Sequence, residues 1–238
     1  MLSVENLSAW YGAARILYDL SFAVGRGEVV ALMGRNGAGK STTMKAVMGL
    51  IAEKQGRVRF NGDDISRLKP FEIARRGLGY TPEDRRIFSD LTVMENLDVG
   101  RQPPRHFADG APAPAWTPSR LFTLFPNLAE MPDRLGDRMS GGEQQMLTVA
   151  RTLMGNPLLV LLDEPSEGVA PLIVEQMAAT IIDLKKEGLS ILLSEQNIHF
   201  ARLVSDRVYV LEKGQIRWQG SMAQLDTNQD VQQAYLTM

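Results

Sequence analysis

The sequence predicts an α/β protein built on a parallel sheet covered by helices, and three observations carry that expectation. An apolar run over residues 28–33 leads into glycine and then into a helical pattern. A second, wholly apolar run, Leu158-Leu159-Val160-Leu161-Leu162, has the character of a strand buried on both faces. From Gly141 onward helical and strand patterns alternate, as successive βα units do.

Taken in order, residues 2–33 read as short strands, with 21–24 ending at the Gly25-Arg26-Gly27 turn. Residues 40–50 read as a helix and 57–60 as a strand, followed by the hairpin signal Asn61-Gly62. Residues 70–76 read as helical, and 78–81 as a buried strand that stops at Pro82. Composition shifts between Thr92 and Met139. Residues 102–118 carry Pro103, Pro104, Pro112, Pro114 and Pro118 and read as an irregular, mobile loop flanked by helical pieces, with Trp116 as an ordinary loop tryptophan in preference to an exposed anchor. Beyond it the expectation is helix, strand (158–162), helix (171–186), strand (190–194), helix, strand (207–211), a short strand at 215–218 and two final helices. No internal repeat is evident.

Composition narrows the function classes. A chain of 238 residues suits one large domain with a subdomain, with a core that needs no staples. There is no cysteine, which excludes disulfides, thiolate nucleophiles and thiolate metal sites. Two histidines make a histidine-rich metal site implausible. The net charge of −2 lacks the basic excess of nucleic-acid binders, so no nucleic-acid partner is expected. No apolar run approaches the roughly 20 residues of a membrane span, and the N-terminus has no signal pattern. The chain reads as cytosolic, with any membrane role coming through a partner.

The strongest chemical signal is Gly34-Arg35-Asn36-Gly37-Ala38-Gly39-Lys40-Ser41. It fits the pattern in which glycines let the backbone wrap a phosphate, and it sits between a strand and a helix, where that wrapping needs it. Exposed N–H groups and the helix N-terminus supply positive partial charge. Lys40 is expected to reach the β- and γ-phosphates, and Ser41 to ligate Mg²⁺. The second signal is Asp163-Glu164 at the end of the apolar 158–162 strand, where open α/β sheets place ligands. Asp163 is expected to hold Mg²⁺ through water and Glu164 to orient or deprotonate an attacking water. The alternative is an acid pair at a helix start, since Pro165-Ser166 follows. The third signal, Ser140-Gly141-Gly142-Glu143, can open a helix and present N–H groups to an anion, or serve as a plain N-cap.

The set of three, in this order, resembles the ATP-binding subunit of ABC transporters over essentially the whole chain. The resemblance implies that residues 34–41, with Thr42, form the Walker A loop and Leu158 to Asp163 the Walker B strand. It makes Ser140-Gly141-Gly142-Glu143 the signature motif and Tyr11 the aromatic that stacks on adenine. Ser166-Glu167-Gly168-Val169-Ala170 looks like the D-loop after the catalytic Glu164. The signature carries Glu143 in place of the commoner glutamine, and two further positions depart from the family pattern. Glu83, in Tyr80-Thr81-Pro82-Glu83, replaces the usual glutamine beside the metal, and Gln196, in Ser194-Glu195-Gln196-Asn197, replaces the usual switch histidine. Both changes, with Arg85-Arg86-Ile87-Phe88, Gly142-Glu143-Gln144-Gln145 and Ala234-Tyr235-Leu236, are similar to the LivF-like ATPase of branched-chain amino-acid importers, a group with relatives that move amides and urea.

The resemblance implies the ABC-type phosphate-loop core, residues 1–82 and 158–238, with an N-terminal antiparallel β portion, and a helical subdomain over 83–157 that carries the signature. It implies ATP and Mg²⁺ as cofactors, a second ATPase subunit whose Ser140 and Gly142 counterparts close over the ATP, and two membrane permease subunits. The expected place is the cytoplasmic face of the membrane. An ATPase acting on ribosomes or DNA, and a regulatory ATP binder, are the competing readings. The first is disfavoured by the single ATPase half, the second by an intact Glu164.

Overall fold

The computed structural model describes residues 1–236; the last two residues of the expected 158–238 segment lie outside the described residues. In chain order, β1 (Leu2–Tyr11) and β2 (Ala14–Val24) form a hairpin, β3 (Val29–Met33) enters the centre and α1 (Lys40–Val47) follows. Next come β4 (Glu53–Phe60), β5 (Asp63–Asp64), α2 (Pro70–Arg75) and β6 (Leu78–Thr81). A helical stretch holds α3 (Val93–Gly100), α4 (Pro118–Leu124), α5 (Pro126–Ala129) and α6 (Gly141–Met154). The chain ends with β7 (Leu159–Asp163), α7 (Pro171–Lys186), β8 (Ser190–Glu195), α8 (Ile198–Val204), β9 (Arg207–Glu212), β10 (Gln215–Ser221), α9 (Met222–Thr227) and α10 (Gln229–Tyr235).

Two sheets result. The antiparallel one has the order β2-β1-β4-β5, and the larger one β10-β9-β3-β8-β7-β6. In the larger sheet every neighbouring pair is parallel except β10 with β9. β3, β7 and β8 are buried at every position, as the apolar runs at their centres require of strands covered on both faces. One core cluster joins the antiparallel sheet to α1 and the inner face of the large sheet. A second packs α3 to α7 against β7 and β8, and a third seats α8 and α9 on β3 and β9.

The N-terminal strands are longer than the sequence suggested. β1 and β2 run through irregular register, with shifts between Val4 and Leu7 and between Leu7 and Ala9. Asn6 and Asp19 there take left-handed backbone angles (φ 50° and 54°). Such bulges scramble the period-two alternation that marks a strand. The first helix is shorter than 40–50 because Gly49, at φ 73°, ends it.

The proline-rich segment is a fastened strap, which corrects the expectation of a mobile loop. Phe107 is buried in the cluster under the antiparallel sheet, and Trp116 is 3% exposed in the helical cluster. The Arg26 guanidinium lies 3.6 Å over the Phe107 ring and pairs with Asp109 at 2.9 Å. The side chain of Asn156 clasps both ends, accepting from Trp116 N–H and donating to the Gln102 carbonyl, each at 2.6 Å. The Asn61 side chain accepts from Ala108 N–H at 3.0 Å.

Candidate active site

The carboxyl ends of β3, β6, β7 and β8 share one edge of the large sheet, since Met33 aligns with Glu195, Asp163 with Ser194 and Thr81 with Leu162. Residues 34–41, Glu83, Asp163, Glu164 and Gln196 therefore leave the sheet from the same edge. At Gly34 a Cβ would lie 2.4 Å from the Leu211 carbonyl oxygen, so only glycine lets the loop turn there. Gly39 opens α1 from a left-handed angle of φ 107°. Gly34, Ala38, Gly39 and Lys40 are buried, Ser41 and Thr42 half-buried, while Arg35, Asn36 and Gly37 are exposed at the tip of the loop.

Lys40 is a buried cation with three acceptors. Its ammonium lies 2.9 Å from Glu164 Oε1, 2.8 Å from the Gly34 carbonyl and 3.3 Å from that of Arg35. The two side chains are only 3% and 7% exposed, so each ion depends on the other. Glu164 reaches the lysine because its backbone leaves β7 in the left-handed region, φ 48°, with its N–H donating to both the carbonyl and the hydroxyl of Ser194 at 3.1 Å. A non-glycine residue held there costs about 1–3 kcal/mol and persists only where the surroundings dictate it.

Asp163 is gripped by three hydroxyls. Ser41 and Ser194 donate to Oδ1 at 2.9 and 2.6 Å, and Tyr80 donates to Oδ2 at 3.1 Å. Burial and the neighbouring Asp163 charge push the Tyr80 phenol well above its usual range, so it stays a donor. The Gln196 amide donates to Glu164 Oε2 at 2.9 Å and to Glu167 Oε2 at 3.3 Å. Burial works against ionisation of Glu164, but hydrogen bonds from Glu167, Lys40 and Gln196 hold it below the usual carboxylate range. Glu167 is pushed the other way, up to about 7, by its hydrogen bond to Glu164, by partial desolvation and by the Glu164 and Glu83 charges. Glu195 is buried, accepts from the N–H groups of Ser166, Gln196 and Asn197, and thereby ties the turn after β8 to the loop after β7.

Glu83 is exposed in a cleft that Asp163, Tyr80 and Lys45 also line. Tyr11 stands half exposed (50%) at the end of β1. Ser140 caps α6, accepting from Glu143 N–H at 3.4 Å while the Glu143 carboxylate accepts from Ser140 N–H at 2.7 Å. A side chain at Gly141 would meet the Arg85 guanidinium, and one at Gly142 would meet Ile173. Thus the structure brings together residues 34–41, Asp163, Glu164 and Gln196, whereas 140–143 make their contacts with Arg85, Arg134 and Ile173. Tyr80, Ser194 and Glu195 were not singled out as site residues from sequence. Their proximity depends on strand register, which no local pattern reveals.

The oxygen-only donors Ser41 and Asp163 fit a small hard cation that takes its remaining ligands from phosphate and water. Among the described residues there is no group of three or more His, Cys, Asp or Glu side chains that could hold a metal ion by themselves.

A phosphate-wrapping loop, a buried lysine and a paired aspartate and glutamate at the edge of a parallel sheet define a nucleotide-hydrolysing subunit. The family described as "ABC transporter" matches residues 17–167, and the chain belongs to it. The chain is 42% identical over 236 residues to the high-affinity branched-chain amino acid transport ATP-binding protein BraG of Pseudomonas aeruginosa, covering 99% of each. It is 36% identical over 244 residues to the lipopolysaccharide export system ATP-binding protein LptB of Haemophilus influenzae, covering 99% of this chain and 97% of that one. Among solved structures, the ATP binding subunit of an ABC transporter superposes with a TM-score of 0.77 at 28% identity, covering 98% of this chain and 92% of that one. The ADP conformation of the cassette MJ1267 gives 0.77 at 27%, covering 95% and 93%. The fold is the ABC ATPase fold, and the chain is an ATP-binding, ATP-hydrolysing subunit of a transporter. Among the described residues no helix is long and apolar enough to cross a membrane.

Proposed function

We propose that this subunit powers the import of branched-chain amino acids or of related small polar solutes such as amides or urea. The observation that carries this reading is the end-to-end alignment with BraG at 42% identity. The similarity to LptB at 36% favours a second reading, lipopolysaccharide export.

In this proposal the backbone of residues 34–41, with Thr42, cradles the phosphates and Tyr11 stacks on adenine. Ser41, Asp163 and Glu83 hold Mg²⁺, which when bound neutralises charge on the phosphates. Arrival of the γ-phosphate draws Lys40 away from Glu164. The freed carboxylate then accepts a proton from the attacking water, while Gln196 holds Glu164 in place and faces the phosphate. Ser140, Gly141 and Gly142 of a second ATPase subunit close over the nucleotide, with Glu143 keeping that helix start capped. The helical stretch 83–157 acts as the moving subdomain on the core of 1–82 and 158–238.

Two permease subunits complete the assembly and hold this chain at the cytoplasmic face of the membrane. A groove of about 560 Å³ supports such docking. Its walls carry the exposed apolar side chains Leu50, Phe71, Phe88 and Val99. A contiguous apolar patch of this kind marks an interaction surface. The test is co-expression with the permease subunits of a branched-chain amino-acid importer, reconstitution in liposomes and measurement of ATP-driven uptake of labelled leucine, valine, urea and acetamide. Uptake of none of them, with ATP-driven extraction of lipopolysaccharide instead, overturns the import reading.

A further inference from the structure

Tyr80 lies on β6, the edge strand of the large sheet, where its backbone aligns with Leu161 of β7. Asp163 is two residues further along β7, which with the spacing between strands puts its backbone about 8 Å from that of Tyr80. A tyrosine and an aspartate side chain together bridge that diagonal, and a serine in place of the tyrosine does not. Its phenol ends 3.1 Å from Asp163 Oδ2.

The three hydroxyl donors on Asp163 are not equivalent. Ser41 and Ser194 both donate to Oδ1, whereas the Oδ2 contact comes from Tyr80. The terminal torsion of an aspartate is broad and roughly two-fold, so contacts to one oxygen leave the carboxylate free to rock about it. A donor on the second oxygen removes that freedom. Asp163 is 1% exposed, so water cannot substitute for the missing donor at little cost. The phenol has only one proton to give and gives it here.

We propose that Tyr80 is a positioning residue for the divalent cation: its hydroxyl sets the rotation of the Asp163 carboxylate before metal and nucleotide arrive. The proposal rests on the reading of Asp163 as a metal-holding residue. Outer partners of this kind change metal affinity by ~10–100-fold when removed. A tyrosine that merely satisfies its own half-buried hydroxyl predicts no such change.

Tyr80→Phe keeps the ring and removes only the hydroxyl, and Asp163→Asn serves as the control. Binding of Mn²⁺ is measured by electron paramagnetic resonance in the presence of a non-hydrolysable ATP analogue, and binding of the analogue alone is measured in EDTA. The expected result is Mn²⁺ affinity lower by about 10-fold or more in Y80F, with analogue affinity in EDTA within about twofold of the parent. Mn²⁺ affinity equal to the parent's in Y80F, with D163N clearly weakened, overturns the Tyr80 proposal alone. Undiminished affinity in D163N overturns the metal assignment beneath it. If Y80F does not fold, Tyr80→Leu, which brings neither a donor nor a metal ligand, is measured in its place, and parental Mn²⁺ affinity there again refutes the proposal.

Discussion

Replacing Glu164 with glutamine should act in opposite directions on stability, nucleotide affinity and turnover. In the resting site Glu164 Oε1 is 2.9 Å from the Lys40 ammonium. Glutamine keeps an oxygen there but loses the charge, and the Gly34 and Arg35 carbonyls remain as acceptors. A charged hydrogen bond contributes ~1.5–3 kcal/mol and a neutral one ~0.5–1.5, so the resting fold should lose about 1–2 kcal/mol. For a domain of this size that lowers the Tm by about 2–8 °C. ATP must take Lys40 from whatever holds it, and a neutral competitor yields more readily. Affinity for ATP should therefore rise, by up to ~5–30-fold for the same 1–2 kcal/mol. Turnover should fall by ~10²–10⁴, the usual contribution of general-base catalysis. Thermal melts without nucleotide, an ATP titration and a phosphate-release assay read the three quantities. Near-parental phosphate release in E164Q refutes the catalytic role. Weakened ATP binding refutes the competition for Lys40.

Tyr11→Ala should weaken ATP binding by about tenfold or more, since stacking on an aromatic is worth ~1–3 kcal/mol per base, while Tyr11→Trp should keep it; equal affinities by calorimetry dismiss the stacking. Glu167 gives a pH signature. Its carboxyl is raised from 4.5 to about 7, so the stability it contributes is full below pH 4.5 and lost as pH rises through 7. Between pH 5 and 8 the Tm of the parent should therefore decline relative to that of Glu167→Gln, modestly because Glu167 is exposed; parallel Tm curves would show that the Glu167 carboxyl is not raised.

The parts legible in the sequence were those with a local signature. β3, β7 and the centre of β8 stood out because strands covered on both faces are continuous apolar runs, with polar residues only at the ends of β7 and β8, and residues 34–41 stood out because glycine spacing is itself the mechanism. β1 and most of β2 were obscured by bulges at Asn6 and Asp19. The strap was read as a loop from its prolines, correctly as to irregularity, but its anchoring depends on partners such as Asn156, 40 residues from Trp116. Tyr80, Ser194 and Glu195 were hidden for a related reason. They look like ordinary strand residues until parallel register sets a phenol and a hydroxyl against Asp163. The pairing of Lys40 with Glu164 was equally invisible, because it follows from a left-handed backbone angle at a residue that is not glycine.

The strap across residues 101–117 also alters what the unfolded chain has to give up. Ordering an irregular segment loses ~1–2 kcal/mol of backbone entropy per residue and earns no ladder of hydrogen bonds in return. Pro103, Pro104, Pro112 and Pro114 each enter folding with φ already set. At ~0.4–1 kcal/mol apiece they reduce that loss by about 2–4 kcal/mol. They also bring no N–H group, so four fewer donors need a partner in a stretch that has no regular acceptors. The composition that makes the segment look unstructured is therefore what makes its order affordable. Replacing those prolines with alanine would turn a stiff insert into a floppy one without touching either of its aromatic anchors.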